Sequence, residues 1–336
     1  MEAASAERQT AKSTMHAATI VGPGRIEVQE VPIPEPGPGQ VRIKLEGCGV
    51  CASNIPPWEG REWFSYPMEP GNLGHEGWGV VDEAGEGAAE FRPGDRVAFL
   101  SNHAYAEYDV ADRDSIVKIP ASLKGTPLPG EPLGCAMNIF RRSHISAGDT
   151  VAIVGIGFLG ALLTRLCAQH GARVIAIARK DEALEAARSM GAAETIRMDD
   201  HWQIIEQVRN LTDGRFCDVV IEATGKQWPL DLAAELTREM GRLVIAGYHQ
   251  DGLRQVNLQL WNWRGLEVTN AHEREQAVYT RGIQEAIQAV ESGRLDPSSL
   301  YTHRFPLEDL GKALDMTRDR PTGFMKALIE IEGRAS

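Results

Sequence analysis

The segment from Thr150 to Lys180 constrains the fold more than any other part of the sequence. It runs TVAIVGIGFLGALLTRLCAQHGARVIAIARK: an apolar strand, a glycine-rich turn, a helix with small residues and a second apolar strand. This order is typical of a βαβ unit in a parallel sheet, whose strands are apolar throughout because helices cover both faces. Gly155, Gly157 and Gly160 form G-x-G-x-x-G between the first strand and the helix.

In this context each glycine of the turn has a physical task. The glycines permit the tight turn, let the backbone approach a pyrophosphate and bring the helix close to the strand. The N-terminus of the helix then offers free N–H groups to the phosphates. We therefore predict a dinucleotide site; the alternative is a tight turn between strand and helix that binds nothing.

The end of the second strand bears on which dinucleotide binds. An NAD site has an acidic residue there that accepts a hydrogen bond from the ribose 2′-hydroxyl, whereas this strand ends in Ala178, Arg179 and Lys180. Two cations attract a 2′-phosphate, so NADP(H) is favoured over NAD(H), unless both are simply solvated charges. The predicted cofactor-binding residues are Gly155, Gly157, Phe158, Leu159, Gly160, Ala178, Arg179, Lys180, Ala223, Thr224 and Gly225.

The length and pattern of the chain predict two domains. At 336 residues it is long for one core. Up to about residue 130 short strands dominate, such as VRIKLEGCGV with alternating Val41, Ile43 and Leu45. From Asp149 onwards apolar strands alternate with helices, for example DEALEAARSMGA, which is the pattern of a doubly wound α/β domain.

Charge and composition exclude several classes of function. The formal charge is −12 and no block of Lys or Arg is long enough to follow a phosphate backbone, so nucleic acid is not expected as a partner. No apolar run approaches the roughly 20 residues that cross a bilayer, and the first segment lacks the apolar centre of a signal peptide. We expect a cytoplasmic protein, with residues 1–14 as a disordered tail. An odd number of cysteines, five, favours free thiols or a metal ligand over disulfides.

Three polar motifs precede the βαβ segment. GCGVCASN contains Cys51, GNLGHEGWGVV contains His75 and Glu76, and GEPLGCAMN contains Glu131. With these motifs in this order, the chain resembles the medium-chain dehydrogenase/reductase family, in particular its zinc-dependent alcohol and polyol dehydrogenases. The resemblance extends from Met15 over nearly the whole chain and includes the glycine turn and the GDRV turn.

The resemblance implies one catalytic zinc ion and its ligands. The Cys and His of the family motifs fall on Cys51 and His75, and the Glu of the polyol branch falls on Glu131. Cys135 is an alternative third ligand, and Glu76 is either an exchanging ligand or a partner of the ligands. A C-x-x-C formed by Cys48 and Cys51 lacks the second pair that a zinc knuckle needs, and the four-cysteine lobe of many relatives is absent from the sequence, so no structural zinc is expected. Ser53 matches the hydroxyl that passes on the substrate proton; the predicted catalytic residues are Cys51, Ser53, His75, Glu76 and Glu131.

The resemblance also implies the architecture and the reaction. A GroES-like catalytic domain would comprise residues 15–137 and 276–336, and a Rossmann domain residues 138–275. Zinc would polarise the substrate oxygen while hydride passes between a secondary alcohol or ketone and the nicotinamide. Ser101 and the polar stretch around His272 favour a sugar, polyol or cyclitol. Trp58, Trp63 and Phe64 would stack on it, unless they pack on their own domain.

The sequence departs from the family pattern at two positions, and two other functions remain as alternatives. Asn54 replaces the usual Asp, and Pro56 stands where relatives often carry the histidine of the proton relay. The alternatives are a zinc-free enone or quinone reductase on the same fold and a non-catalytic cofactor-binding protein. By resemblance, a homodimer or homotetramer would form through the strand LEVTNAH at the edge of the nucleotide-binding sheet.

Overall fold

The computed structural model of the protein describes residues 13–331. Its strands are β1 (Thr14–Gly22), β2 (Arg25–Pro32), β3 (Gln40–Gly49), β4 (Gly77–Ala84), β5 (Arg96–Phe99), β6 (Tyr108–Asp112), β7 (Ile116–Lys118), β8 (Thr150–Val154), β9 (Arg173–Ala178), β10 (Glu194–Arg197), β11 (Cys217–Glu222), β12 (Thr237–Ile245), β13 (Glu267–Asn270), β14 (His303–Pro306) and β15 (Ala327–Glu330). Its α-helices are α1 (Ile55–Glu59), α2 (Gly130–Ser143), α3 (Phe158–Gln169), α4 (Asp181–Ser189), α5 (His201–Leu211), α6 (Gln227–Leu236), α7 (Leu258–Arg264), α8 (Gln276–Glu291) and α9 (Leu310–Asp319).

The β-pattern begins one residue earlier than expected. Thr14, which the sequence analysis assigned to the tail, pairs with Pro32 in the β1–β2 hairpin, and Ser13 accepts a hydrogen bond from the backbone of Ile33. Residues 1–12 of the predicted tail lie outside the described residues. Within the described part of the chain, no helix is long and apolar enough to cross a membrane.

Six parallel strands form the nucleotide-binding sheet, in the order β10-β9-β8-β11-β12-β13. On β8, Val151 and Ile153 pack into the core on one face, and Ala152 and Val154 into the core on the other. All four are fully buried, which explains why the strand is apolar at every position. The prediction of a doubly wound parallel sheet is confirmed, and β13, within LEVTNAH, is one of its two edge strands.

The second large sheet is mostly antiparallel and has the order β14-β15-β3-β4-β5-β7, with β6 also paired to β3. Val41, Ile43 and Leu45 of β3 are buried, whereas Lys44 between them is exposed, as the alternation predicts. β15 pairs with the end of β3, Ile329 lying opposite Cys48. The C-terminal segment is thereby attached to the first domain, next to the segment that carries Cys51.

Helices α2 and α8 join the two sheets at a close crossing. A Cβ atom on Gly134 of α2 would lie 2.8 Å from the backbone nitrogen of Ile283 in α8, and one on Gly282 would lie 2.7 Å from the Gly134 carbonyl oxygen. The missing side chains let the two backbones approach. This contact fixes the first turn of α2 and the start of α8 beside the cleft between the sheets.

Candidate active site

Three possible metal ligands meet at the end of the antiparallel sheet. The thiol of Cys51, the ring of His75 and the carboxylate of Glu76 offer ligand atoms within 4.8 Å of one another. Cys51 follows β3 and the other two precede β4. Because Cys48 of β3 pairs with Gly77 of β4, the end of one strand lies against the start of the next. We call these three residues the donor cluster.

The glycines around the donor cluster allow the backbone to pack closely. A Cβ atom on Gly74 would lie 2.3 Å from the backbone nitrogen of Tyr105, and one on Gly77 would lie 2.7 Å from the ring of Phe99. Such distances leave no space for a side chain at either position. The glycine-rich segment around His75 is therefore tightly packed, and it carries two of the three possible ligands, His75 and Glu76.

A backbone carbonyl orients His75. Its Nδ1 lies 2.9 Å from the Leu73 carbonyl oxygen, which also accepts a hydrogen bond of 2.8 Å from the Asn54 side chain. Leu73 itself has a φ of 72°, a left-handed conformation that non-glycine residues seldom adopt outside functional sites. With Nδ1 donating to this carbonyl, Nε2 keeps its lone pair for a metal. Asn54 thus acts on the histidine through Leu73, although it cannot supply the carboxylate of the usual Asp.

The donor cluster favours a bound cation. Burial lowers the pKa of His75, but its hydrogen bond with Cys51 and the negative charge of that thiolate outweigh burial and raise the pKa to about 10. The carboxylates of Glu131 and Glu76 contribute to the same upward shift. The raised pKa means that the surrounding anions stabilise a positive charge at this place, which is a proton on the imidazole when no metal is bound. A thiolate, an imidazole and carboxylates are the ligands that zinc prefers, so the residues fit the ion that the sequence predicts.

Glu76 has a buried cationic partner that the sequence analysis missed. Lys326, just before β15, places its Nζ 2.7 Å from Glu76 Oε1 and 2.5 Å from Oε2. Both side chains are buried, with 7% and 1% of their surface exposed. The only sequence signal is a lysine directly before the apolar strand ALIE. Glu76 is therefore the member of the donor cluster that already has a cationic partner within the protein.

Glu131 faces the same cavity as His75 from the first turn of α2. Cys135, one helical turn further, donates a hydrogen bond of 3.1 Å from its thiol to Glu131 Oε1. Burial raises the pKa of Glu131, while the charge of His75 opposes that shift. Burial also raises the pKa of the Cys135 thiol well above its usual range. Of the two candidates for a third ligand, the carboxylate is the one that ionises more readily, and the thiol is its hydrogen-bond donor.

Ser53 follows Cys51 by two residues and is not among the residues that line the cavity described below. Ser53 is half-buried in a short 3₁₀ helix, Ala52–Asn54, and its hydroxyl lies 3.4 Å from the side-chain oxygen of Asn54. Its role in proton transfer remains a prediction. Pro56 is buried at the start of α1.

A cavity of about 380 Å³ adjoins the donor cluster. It extends from His75 and Glu131 to the segment before and within the start of α8. Ser101, which the sequence predicts for the pocket, is in its lining. The lining residues are His75, Leu100, Ser101, Ser115, Glu131, Arg274, Gln276 and Tyr279.

The three aromatic residues expected to stack on a sugar do not line this cavity. Trp58 is buried in the core of the first domain, and its indole N–H donates to Asp315 of α9 at 2.9 Å. Trp63 packs near Phe64, with ring centroids 6.0 Å apart, and lines a separate depression at the protein surface. Packing on its own domain, the alternative considered above, is what the structure shows for Trp58, whereas the Trp63 side chain is largely exposed.

The glycine turn has the geometry that its motif predicts. Gly155 has a φ of 104° and a Cβ there would lie 2.3 Å from Thr224 Cγ2, while a Cβ on Gly160 would lie 2.1 Å from the Gly155 carbonyl oxygen. At Gly157, directly before α3, the nearest atom to a Cβ would be a guanidinium nitrogen of Arg320, 3.5 Å away. Two glycines are therefore required by packing within the turn, and Gly157 leaves open space in front of the helix.

The two residues between Gly157 and Gly160 pack into the protein. Phe158 is buried against Tyr301, with ring centroids 5.8 Å apart, and the Lys326 ammonium lies 5.2 Å from the Phe158 centroid. Leu159 packs at the edge of the same core. The start of α3 thus connects the nucleotide-binding domain to the lysine that neutralises Glu76.

Three cationic residues surround the end of β9. Arg179 is exposed, and within residues 13–331 its guanidinium has no ion-pair or hydrogen-bond partner. Lys180 donates to the carbonyl oxygen of Arg320, a residue that the sequence analysis missed. Burial is the main cause that lowers the pKa of Arg320, and the positive charge of Arg179 lowers it further. Mutual repulsion between these cations is what a bound phosphate would relieve.

A buried carboxylate shapes the turn after β11. Glu222 Oε1 accepts hydrogen bonds from the backbone N–H of Thr224 at 2.7 Å and of Gly225 at 2.9 Å. Ala223 continues the strand by donating to the Val154 carbonyl oxygen of β8. On the other side of the carboxylate, His249 Nε2 lies 3.0 Å from Glu222 Oε2. The predicted cofactor residues 223–225 therefore lie at the carboxyl end of the central strands, where doubly wound folds bind ligands.

Comparison with known proteins gives two matches to family models. Residues 37–126 match the alcohol dehydrogenase GroES-like domain, and residues 159–290 match the zinc-binding dehydrogenase domain. The mixed architecture of a GroES-like domain and a Rossmann domain is thereby confirmed.

Curated relatives and solved structures cover almost the whole chain. The sorbitol dehydrogenase of Halalkalibacterium halodurans is 28% identical over 328 residues, which is 87% of this chain and 92% of the relative. The alcohol dehydrogenase of Cupriavidus necator is 28% identical over 375 residues, which cover 94% of this chain and 98% of the relative. Among solved structures, a zinc-binding dehydrogenase from Sinorhizobium meliloti bound to NADP superposes with a TM-score of 0.82 at 26% identity, covering 95% of this chain and 100% of that one.

Proposed function

The chain belongs to the zinc-type medium-chain dehydrogenase/reductase family, and we propose that it is a zinc-dependent oxidoreductase acting on a polar secondary alcohol or ketone with NADP(H). The observation that carries the proposal is the convergence of Cys51, His75 and Glu76 beside a cavity that Glu131 also lines. Relatives named sorbitol dehydrogenase and alcohol dehydrogenase support an alcohol as substrate. The polar lining of the cavity favours a polyol, sugar or cyclitol among alcohols.

Cys51 and His75 would hold the zinc ion, with Glu131 as the third ligand. Glu76 is adjacent and would exchange with it only by leaving its ion pair with Lys326. Zinc in such a three-ligand site supplies Lewis acidity to a substrate oxygen. The Leu73 carbonyl holds the imidazole in the orientation that this requires, and the buried Lys326 limits the negative charge of the site.

The cofactor would bind along the carboxyl ends of β8, β9 and β11. The space in front of Gly157 suits the pyrophosphate, since a Cβ there would meet only a guanidinium nitrogen of Arg320 at 3.5 Å and the helix N-terminus lies directly after it. Arg179 and Lys180 would bind the 2′-phosphate of NADP(H) through charge-assisted hydrogen bonds. The NADP-bound structure from Sinorhizobium meliloti supports this preference as a likeness in fold and cofactor.

The overall reaction converts a secondary alcohol to a ketone. A bound nicotinamide would supply an acceptor for the hydride of the carbinol carbon, and the hydroxyl proton would leave as the carbonyl group forms. Ser53 would receive that proton and pass it to water, because Pro56 offers no ring nitrogen for a relay. Association into a homodimer or homotetramer through the edge strand β13 is part of the same proposal.

A zinc-free enone reductase on the same fold is the second candidate. Such an enzyme needs no metal ligands. That function therefore does not explain why a thiol, an imidazole and a carboxylate lie within 4.8 Å of one another. The donor cluster therefore favours the zinc-dependent reaction.

One assay series tests the proposal. The purified full-length protein is supplemented with zinc, analysed for metal and assayed with sorbitol and other polyols, with simple aliphatic alcohols and with an enone. We expect one zinc per chain, oxidation of at least one polyol, and a higher kcat/KM for NADP than for NAD. Enone reduction that survives removal of zinc would instead support the second candidate.

A further inference from the structure

The cavity beside the donor cluster has two unlike walls. On one wall lie His75 and Glu131, which belong to the proposed metal site. On the other lie Arg274, Gln276 and Tyr279, from the segment that leads into α8. Among the eight lining residues, only Arg274 carries a permanent positive charge.

Arg274 differs from its neighbouring arginines because it has no ion-pair partner among the residues that the structure describes. Arg142 lies near Glu273 at 3.7 Å, and Arg281 binds Glu285 at 2.9 Å. Arg141 also pairs with Glu285. In the region that the structure describes, the Arg274 guanidinium makes no ion pair and no hydrogen bond, although the chain has a net charge of −12.

Two carboxylates flank Arg274 in sequence, and neither pairs with it in the described part of the chain. That of Glu273 is bonded elsewhere. Glu273 Oε1 accepts hydrogen bonds from the backbone N–H groups of Arg274 at 2.7 Å and Glu275 at 3.0 Å. The same side chain faces Arg142, whose guanidinium also donates to the His272 carbonyl at 3.0 Å. These bonds fix the turn from His272 to Glu275. The Arg274 side chain is exposed, and its guanidinium has no acceptor among residues 13–331.

The start of α8 is also tied to the first domain. The Gln276 amide donates to the Ser115 hydroxyl at 2.5 Å, and the Thr280 hydroxyl donates to the Asp114 carbonyl at 2.9 Å. Arg274 is thus attached to a segment anchored at both ends. The cavity that it lines, about 380 Å³, lies within the usual range for small-molecule sites, about 300–1,000 Å³.

We propose that Arg274 is a specificity-determining residue for a substrate that carries an anionic group, a carboxylate or a phosphate, in addition to the reacting hydroxyl. The planar guanidinium binds either anion through two parallel hydrogen bonds. The anionic end then lies at the α8 wall and the hydroxyl at the donor cluster. This inference rests on the proposed function and narrows its substrate from polyols in general to hydroxy acids or phosphorylated polyols.

Binding measurements test the inference without turnover. The zinc-loaded protein is saturated with NADPH, which cannot accept hydride, and titrated by calorimetry with sorbitol, gluconate or sorbitol 6-phosphate. Gluconate differs from sorbitol chiefly by one carboxylate, and the phosphate ester adds a phosphate to the same polyol. We expect at least one of the two anions to bind more tightly than sorbitol, and the tighter one identifies the group.

The variants Arg274→Gln and Arg274→Lys then locate the anion. Removing a hydrogen bond to a charged group costs about tenfold to a hundredfold in affinity, so Arg274→Gln should lose that factor for the anion and little for sorbitol. Arg274→Lys should retain part of the affinity. The control Arg281→Gln removes an equal charge from α8, the helix that follows Arg274, and should leave the binding of all three ligands unaffected.

Two results separate the inference from the proposed function. If sorbitol binds at least as tightly as both anions, or if Arg274→Gln weakens all three ligands equally, the inference is wrong even when polyols are oxidised. If the anion binds through Arg274 but no alcohol is ever oxidised, the anion site stands and the proposed function is wrong.

Discussion

The glycine turn and the donor cluster are built in opposite ways. The turn lies within six consecutive residues, Gly155 to Gly160, and its backbone performs its task. The donor cluster joins the end of β3 to the start of β4 and depends on a lysine 250 residues away from Glu76. In the contiguous motif, a substitution changes the backbone that binds. In the assembled cluster, some residues would bind the metal and another, Lys326, balances the charge. This difference predicts which substitutions remove function and which remove stability.

The largest effect is expected at Cys51. In Cys51→Ser the weaker hydroxyl ligand should lower zinc content from one per chain to near zero. Lewis acidity contributes several kcal/mol to such reactions, so kcat/KM for the alcohol should fall about a thousandfold. NADP affinity should not change, because the glycine turn lies in the other domain. Metal analysis, steady-state kinetics and NADP titration measure the three quantities.

Cys48 is the matched control for Cys51. It is only three residues away, but its side chain is fully buried in the first domain's core, and burial raises the pKa of its thiol well above the usual range. Cys48→Ala should therefore keep its zinc and lose some stability. Equal loss of zinc in both variants would mean that the two cysteines act as one C-x-x-C unit.

The second effect concerns charge balance at Glu76. In Lys326→Met the buried carboxylate loses its partner, and breaking such a pair costs about 3 kcal/mol of the free energy of unfolding. Lys118 provides the comparison, since it binds Asp95 at 2.6 Å with half of its side chain exposed. Lys118→Met should cost less than about 1 kcal/mol. Urea unfolding of the zinc-loaded variants measures both, and similar losses would show that Glu76 is solvated or protonated.

The sequence was sufficient where one stretch of chain determines the structure by itself. The apolar run of β8, the alternation of Val41, Ile43 and Leu45, and the glycine spacing each follow from local geometry. Lys326 could not be predicted as the partner of Glu76, because β15 must first pair with β3 to bring it there.

The aromatic residues and the cavity show the same limit. Trp58 is an aromatic residue in a loop-like stretch, and only the folded structure, in which it is buried and bonds to Asp315 on α9, reveals it as part of the core. Arg274 became distinctive only when the partners of the neighbouring arginines were known. A residue's charge is visible in the sequence, but whether that charge is neutralised depends on residues that the fold brings beside it.

The smallest effect separates packing from binding within the glycine turn itself. Gly155→Ala forces a side chain into a φ of 104° and to 2.3 Å from Thr224 Cγ2, which should cost about 2 kcal/mol of stability as well as cofactor affinity. Gly157→Ala has a φ of −103° and meets only Arg320 at 3.5 Å, so unfolding should change little. Its methyl group would occupy the space proposed for the pyrophosphate and should weaken NADP binding at least tenfold, the loss of about 1.4 kcal/mol. Thermal unfolding with and without NADP distinguishes the two. If Gly157→Ala binds NADP as tightly as the unmodified protein, the pyrophosphate does not lie at that turn, and the contrast between a contiguous binding motif and an assembled donor cluster fails.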